Sequence, residues 1–335
     1  MPSDSTSAHP PGPRVVIRFR LPVPDPATGA TLSDVVGDLV AATAEEIVVD
    51  SRHGRVTVPR STVVATRVVP PRPSRRGAPH RALSVDDLER VMVGAWPPVE
   101  RAALGRWLLR AAHGFTSRAN SALVVGSPDR PVPEALTAVR QWYASRTLSA
   151  RLAVPMPMGL DLAADPVAAA AIEAGWEPGD RVTVLTAASR TVVGACPSAP
   201  PPEAAARIEV GDRLVDDWLA GLRQHRAAPD GPARAVLTGS PEQRFALVRD
   251  GAGAVIAVAR LGVSDGWGGI GAMWVAPDHR RQGLGRSMLG ELARAATDLG
   301  CVSLHLQVED DNDAAHSLYA QAGFTPHHSY AYLSC

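Results

Sequence analysis

The segment Trp274-Val275-Ala276-Pro277-Asp278-His279-Arg280-Arg281-Gln282-Gly283-Leu284-Gly285-Arg286 runs from the end of an apolar strand, through a turn, into a helix. Its chemistry is that of an anion cradle. Glycines let backbone N–H groups come close to a pyrophosphate, and the new helix aims its positive dipole end at the same spot. Arg280, Arg281 and Arg286 can add charge-assisted bonds. Leu284, Met288, Leu289 and Leu292 form the apolar stripe that fixes the helix on a sheet. Two other phosphate loops do not fit. A Rossmann turn reads Gly-x-Gly-x-x-Gly, and here the third glycine is missing and an arginine precedes the first. A Walker loop requires lysine, and the chain contains none.

Downstream, Val302-Ser303-Leu304-His305-Leu306-Gln307-Val308-Glu309 reads as a strand, followed by Asn312, Ala315, Leu318-Tyr319 and Ala322-Gly323-Phe324. The Arg-x-x-Gly-x-Gly turn and this closing pattern lie within about residues 243–335 and resemble the coenzyme A loop and closing motif of the GNAT superfamily of acyl-CoA N-acyltransferases. The resemblance implies direct transfer of an acetyl group from acetyl-CoA, a co-substrate, to a primary amine, with no metal. Adjacent core strands would splay beyond the coenzyme strand, leaving backbone groups for the pantetheine and the thioester carbonyl. By position, Met273, Trp274 and Val275 form that strand. The backbone amides of Gln282, Gly283, Leu284, Gly285 and Arg286 would hold the pyrophosphate. Tyr319 matches the family's general acid for the leaving thiolate, although beside Leu318 and Phe324 it also reads as a core aromatic. Asn312 would bond the pantetheine arm, cap its helix, or do both.

The base is open. Ser303, His305, Gln307 and Glu309 share one strand face. Glu309, at the strand end, is the first candidate for taking the amine proton, directly or through water; it reads equally as a surface carboxylate in Glu309-Asp310-Asp311. His305 is second, since a single histidine on a half-buried strand is commonly structural, and Asp265 is third. For the acceptor, Arg118 in the polar stretch Phe115–Ser121 has the planar fork that suits a carboxylate, or is a surface arginine on a turn. Tyr330 and Tyr332 alternate on the last strand and either line a pocket or pack. Cys301 and Cys335 have no evident partner base, which disfavours a cysteine nucleophile.

Composition narrows the classes. A chain of 335 residues can hold two or three domains with real cores. No run of about 18 apolar residues suggests a membrane span, so no membrane partner is expected. Three cysteines without metal-ligand spacing fit a reducing compartment. Residues 1–13 are Ser/Pro-rich without a secretory design, and the expectation is a cytoplasmic enzyme. Net charge is zero, so no global field draws nucleic acid. Residues 1–81 nevertheless carry eleven Arg against seven Asp/Glu. All 34 basic residues are arginine, so the chain has no lysine side chain on which to acetylate itself.

Around these residues the chain divides into segments of different character. Residues 1–13 read as a disordered lead. Residues 14–70 hold four or five short strands, with His53-Gly54 as a hairpin turn, and fit an SH3-like barrel. Residues 71–81 form a basic, Pro-rich linker. Residues 82–200 alternate helices and strands without an Arg-x-x-Gly-x-Gly loop and read as a degenerate GNAT-like lobe that supplies walls to the neighbouring site. A Pro/Ala-rich joint at 195–206 leads to a catalytic GNAT domain over 205–335, with a helix over Asp212–Leu222 and glycines near Trp267 that signal a bulge or close backbone approach. The fold class expected is α+β, with a small SH3-like barrel, a degenerate α/β lobe and a C-terminal GNAT domain with a mixed, splayed sheet. This order resembles an actinobacterial group of acetyltransferases, associated with N-acetylglutamate synthesis in some members and histone-acetyltransferase-like in others. Glutamate or another small amine is the acceptor expected. The alternatives are a lysine or N-terminal amine on a protein or peptide, or a non-catalytic acyl-CoA sensor whose barrel binds nucleic acid. The last is disfavoured, because the barrel has no aromatic groove and no dense basic stripe.

Overall fold

The computed structural model describes residues 14–24, 29–51, 54–68, 79–196 and 207–335. The expected lead over 1–13, nearly all of the linker, and the joint beyond Cys196 lie outside the described residues. Two compact units, Met1–Pro73 and Ser74–Cys335, divide the chain.

The first unit is a sheet of β1 (Arg14–Arg20), β2 (Leu32–Ala42), β3 (Glu46–Ser51), β4 (Gly54–Pro59) and β5 (Val63–Val68) in the order β4-β3-β2-β1-β5. Alternation sends Val15, Ile17, Val35, Ile47, Val49 and Val58 inward. Gly37 is required in β2, because a Cβ there would lie 2.1 Å from the Asp50 carbonyl oxygen. The small SH3-like β unit expected from the sequence is present, with its two edge strands left open to each other. A 3-10 turn at Arg60–Thr62 carries the chain from one edge strand to the other, and β4 and β5 share no ladder among the described residues.

In the second unit, α1 (Val85–Ala95), β6 (Glu100–Leu104), β7 (Trp107–Ala111), β8 (Ala122–Leu123), α2 (Val132–Ala144), β9 (Arg151–Pro157), α3 (Pro166–Glu173), β10 (Glu177–Ala188) and α4 (Ser189–Ala195) come first. Then follow β11 (Ile208–Gly211), α5 (Asp216–Arg223), α6 (Asp230–Leu237), β12 (Glu242–Arg249), β13 (Val255–Ser264), β14 (Trp267–Val275), α7 (Leu284–Asp298), β15 (Ser303–Glu309), α8 (Asp313–Gln321) and β16 (Thr325–Ser334). Local chemistry sets several helix starts. The Ser84 hydroxyl accepts from the Asp87 amide at 3.1 Å, and Asp165 caps α3 ahead of Pro166. The helix expected from Asp212 begins only at Asp216, since Val215 is extended.

These strands form one sheet, in the order β11-β12-β13-β14-β15-β10-β16-β9-β8-β7-β6. Residues 82–200 and 205–335, read from the sequence as successive lobes, interleave at its centre. β10 lies between β15 and β16, with Val182 opposite both Glu309 and Tyr330. β16 in turn lies between β10 and β9, with Tyr330 opposite Pro155. Alternation on β12 sends Ala246 and Val248 to the α7 face, and Phe245 and Leu247 to the α5–α6 face. Leu284, Met288, Leu289 and Leu292 of α7 are fully buried, a contribution of roughly 1.5–3 kcal/mol each. No helix among the described residues is long and apolar enough to cross a membrane.

Candidate active site

β14 and β15 run parallel and paired from Trp267↔Ser303 only as far as Ile270↔Leu306. Beyond that point the two strands part, at the place where the sequence puts the coenzyme strand. On its other edge β14 bulges: Val258 pairs with Trp274 and Arg260 with Gly271, leaving Ala272 and Met273 opposite one residue. Ala272 takes φ +51° to make this bulge. Glycines flank it because neighbours approach closely. A Cβ on Gly269 would lie 2.5 Å from the His305 ring, and one on Gly268 2.7 Å from Leu304.

Past Val275 a 3-10 turn at Pro277–His279 leads into the cradle. Gly283 is the N-cap of α7 with φ +80°, and no side chain caps the helix, so its first amides have no partner within the helix. Arg281, exposed, also has positive φ, +63°. The Arg280 guanidinium donates to the Val275 carbonyl at 3.0 Å, and the Gln282 amide to the Asp278 carbonyl at 3.2 Å. Arg286 contributes less than its charge suggested, for its side chain donates through Nε and Nη2 to the Ala195 carbonyl at 3.1 and 2.6 Å. Trp274 turns into the α5–α6 core and stacks on His225 at 5.6 Å. Burial and the charge of Arg226 lower the His225 pKa to about 4.

Tyr319 on α8 reaches the bulge, its hydroxyl 3.7 Å from the Met273 sulfur. Burial pushes its pKa up to about 12, so the phenol stays protonated and able to donate. Asn312 is the N-cap of α8, accepting from the Ala315 amide at 3.1 Å. Asp265 lies at the far end of β14 from the cradle, in the turn before Trp267. Burial pushes the Cys301 thiol up to about 11, away from thiolate chemistry.

Beside the parted strands lies a small concavity, partly open to solvent, lined by Glu89, Met92, Arg110, Arg118, Ala153, Gln307, Tyr330 and Tyr332. Arg118, Tyr330 and Tyr332, singled out separately in the sequence, are thus brought together. The Arg118 guanidinium stands 5.4 Å from the Trp96 ring, and its Nε is buried without a hydrogen-bond partner among the described residues. Arg260 supports the same ring at 5.3 Å. It is wholly buried and donates to the Leu237 and Ala95 carbonyls and the Ser240 hydroxyl, each at 2.7 Å. The Tyr330 hydroxyl donates to Gln307 Oε1 at 3.0 Å.

Glu309 is exposed at the end of β15 and does not line this pocket; its charge acts on Arg226, whose pKa burial and Arg118 lower. His305 is buried with neither ring nitrogen bonded among the described residues, and burial, then Arg118, take its pKa down to about 3. Of the pocket lining, sequence reasoning missed Glu89, Met92, Arg110 and Ala153. For Glu89 a signal existed: a carboxylate inside the apolar stripe Leu88, Val91, Met92 and Ala95 of an amphipathic helix.

Known proteins of the same build clarify the fold's kinship. Residues 84–333 match the family model described as "Probable histone acetyltransferase Rv0428c C-terminal", and residues 9–67 that of the "Rv0428c N-terminal Sm-like domain". The Mycobacterium tuberculosis protein named "Probable histone acetyltransferase Rv0428c" is 31% identical over 96% of this chain and 94% of its own length. The "Uncharacterized N-acetyltransferase YobR" of Bacillus subtilis is 29% identical over 71% of this chain and 94% of its own. Among solved structures, a "GCN5-related N-acetyltransferase from Kribbella flavida" superposes with TM-score 0.56 at 17% identity, covering 76% of this chain and 96% of that one. By this kinship and by the parted strands and capless helix of its second unit, the chain belongs to the Rv0428c family and is an N-acetyltransferase of the GNAT fold.

Proposed function

We propose that the chain transfers the acetyl group of acetyl-CoA to the primary amine of a small acceptor that also carries a carboxylate, such as glutamate. The observation that carries this reading is the pocket beside the parted strands, lined by Arg118 together with Glu89, Gln307, Tyr330 and Tyr332, with Arg110 behind it bonded to Ser121. Such a lining suits an amino acid, with the carboxylate toward Arg118 and the amine toward the oxygens. The free amides at the start of α7 and the left-handed Gly283 suit a pyrophosphate. The unpaired edges of β14 and β15 beyond Ile270 and Leu306 suit the pantetheine arm and a polarised thioester carbonyl.

In the reaction, the neutral amine attacks the thioester carbon, the C–N bond forms and the C–S bond breaks. Tyr319 gives its proton to the departing thiolate. Glu309, at the end of β15, adds a negative charge that favours the Arg226 cation. Calorimetric titration of acetyl-CoA into the wild type and a Gly283→Trp/Gly285→Trp variant tests the reading. Binding by the wild type, lost in the variant, supports the cradle, and thiol release in the presence of α-amino acids supports the acceptor class. A wild type that does not bind acetyl-CoA overturns it.

A further inference from the structure

One buried chain of titratable groups leads out of the pocket and has no part in the steps above. Glu89 lines the pocket yet is only 4% exposed. Its Oε1 lies 2.9 Å from Nε2 of His328, which is fully buried. His328 Nδ1 lies 2.8 Å from Nδ1 of His327, and Nε2 of the half-buried His327 lies 3.1 Å from the Leu83 carbonyl. Other titratable or charged groups facing this chain are Arg110, Arg118, Tyr330 and Tyr332 in the pocket and His305 on β15, whose protonation His328 opposes.

Hydrogen-bond logic limits the proton arrangements that complete these three contacts. A carbonyl only accepts, so His327 Nε2 carries a proton and donates to Leu83. If His327 is neutral, its Nδ1 accepts, and His328 must donate from Nδ1. The contact between His328 Nε2 and Glu89 then holds a single proton, on either side. If instead His327 is the cation, it donates to His328 Nδ1, and His328 Nε2 donates to a Glu89 carboxylate. In every arrangement that completes the three bonds, the group carries one proton beyond a carboxylate and two neutral imidazoles. The bonded geometry is therefore a loaded relay, with one mobile proton that can reside at its inner, middle or outer member.

We propose that Glu89 is the base that takes the acceptor's proton, and that His328 and His327 carry it out of the pocket, an assignment that rests on the amine-acetylation reading above. Loss of one proton from His327 to solvent empties the relay and leaves Glu89 a carboxylate. The acceptor ammonium then loses its proton to Glu89 and becomes the neutral amine that attacks the thioester, and the relay is loaded again. Two protons leave the nitrogen per turnover: the ammonium's first passes through the relay to solvent, and the one shed as the amide forms goes to water, from which Tyr319 recovers the proton it has given to the departing thiol. Glu89 would meet the acceptor and so is a catalytic residue; His328 and His327 are positioning and carrier residues.

The test uses the full chain, acetyl-CoA and a panel of α-amino acids, with thiol release followed across pH. The wild-type kcat/KM should fall on the acid side, where the relay cannot empty. Glu89→Gln keeps the side chain's shape; it should retain acetyl-CoA affinity by calorimetry, lose about 100-fold in kcat and lose the acid limb of the profile. His328→Asn should lose about tenfold and displace that limb. His327→Gln, at the half-buried outer end, gives a variant less exposed to folding failure. It should displace the limb while leaving acceptor KM unchanged. Wild-type turnover with an unchanged rate and profile in Glu89→Gln, or an unmoved limb in His327→Gln, overturns the relay alone. A wild type that binds acetyl-CoA but releases no thiol with any amino acid overturns the acceptor reading, and the relay with it.

Discussion

In the proposed cradle, the groups that would meet a ligand are main-chain amides from one stretch of chain, Gln282 to Arg286. The pocket is walled by side chains from α1, β7, the turn at Arg118, β9, β15 and β16. A site made of backbone tolerates most side-chain replacements and fails only where the backbone itself needs a particular residue. A site made of side chains from many elements is sensitive position by position, and can be retuned without disturbing the first. The two regions should therefore separate in kinetics, the cradle governing acetyl-CoA and the pocket governing the amine.

Tyr319, the proposed general acid, should have the largest effect, since its hydroxyl meets the bulge at Met273. Tyr319→Phe should lower kcat about 100-fold with acetyl-CoA affinity unchanged, as read by steady-state kinetics beside calorimetry. Arg118→Met should raise acceptor KM about 30-fold, the equivalent of roughly 2 kcal/mol for a charge-assisted bond. If it weakened acetyl-CoA binding instead, the division between the regions would fail. Gly283→Val forces a β-branched residue into φ +80°, about 1–2 kcal/mol of backbone strain. Acetyl-CoA affinity should fall about tenfold while acceptor KM holds.

The smallest effect concerns stability. His305, buried and held down to a pKa of about 3 chiefly by burial and then by Arg118, stays neutral in the folded chain, whereas the unfolded chain takes up a proton near pH 6.5. Stability is thus complete above about 6.5 and falls as pH drops toward 3. Urea unfolding should show a loss of up to about 2 kcal/mol between pH 7 and 5, and His305→Gln should flatten that slope.

The same contrast explains what could be read from the chain. The cradle was legible because glycines, arginines and the stripe Leu284–Leu292 lie within one helix entry, and the parting of the strands came with the resemblance that this segment carries. The pocket was legible only in fragments. Arg118, Tyr330 and Tyr332 were visible as side chains able to bind, but their meeting depends on β16 entering between β10 and β9, and no local spacing encodes a pairing across so much chain. Glu89 and His328 were hidden for the same reason, for each gains its partner only through that insertion. The small β unit was legible from its short alternating strands, although strand count alone does not specify whether edge strands meet.

That insertion also orders events in the making of the protein. β16 is the last of the eleven strands to be synthesised, yet it occupies a central position in their sheet. Until it emerges, β9 and β10 expose the edges it will join, and an exposed edge invites pairing with another chain. A nascent chain in that state calls for chaperone shelter. Halves cut within 197–206 should each be insoluble alone and recover acetyl transfer only when refolded together.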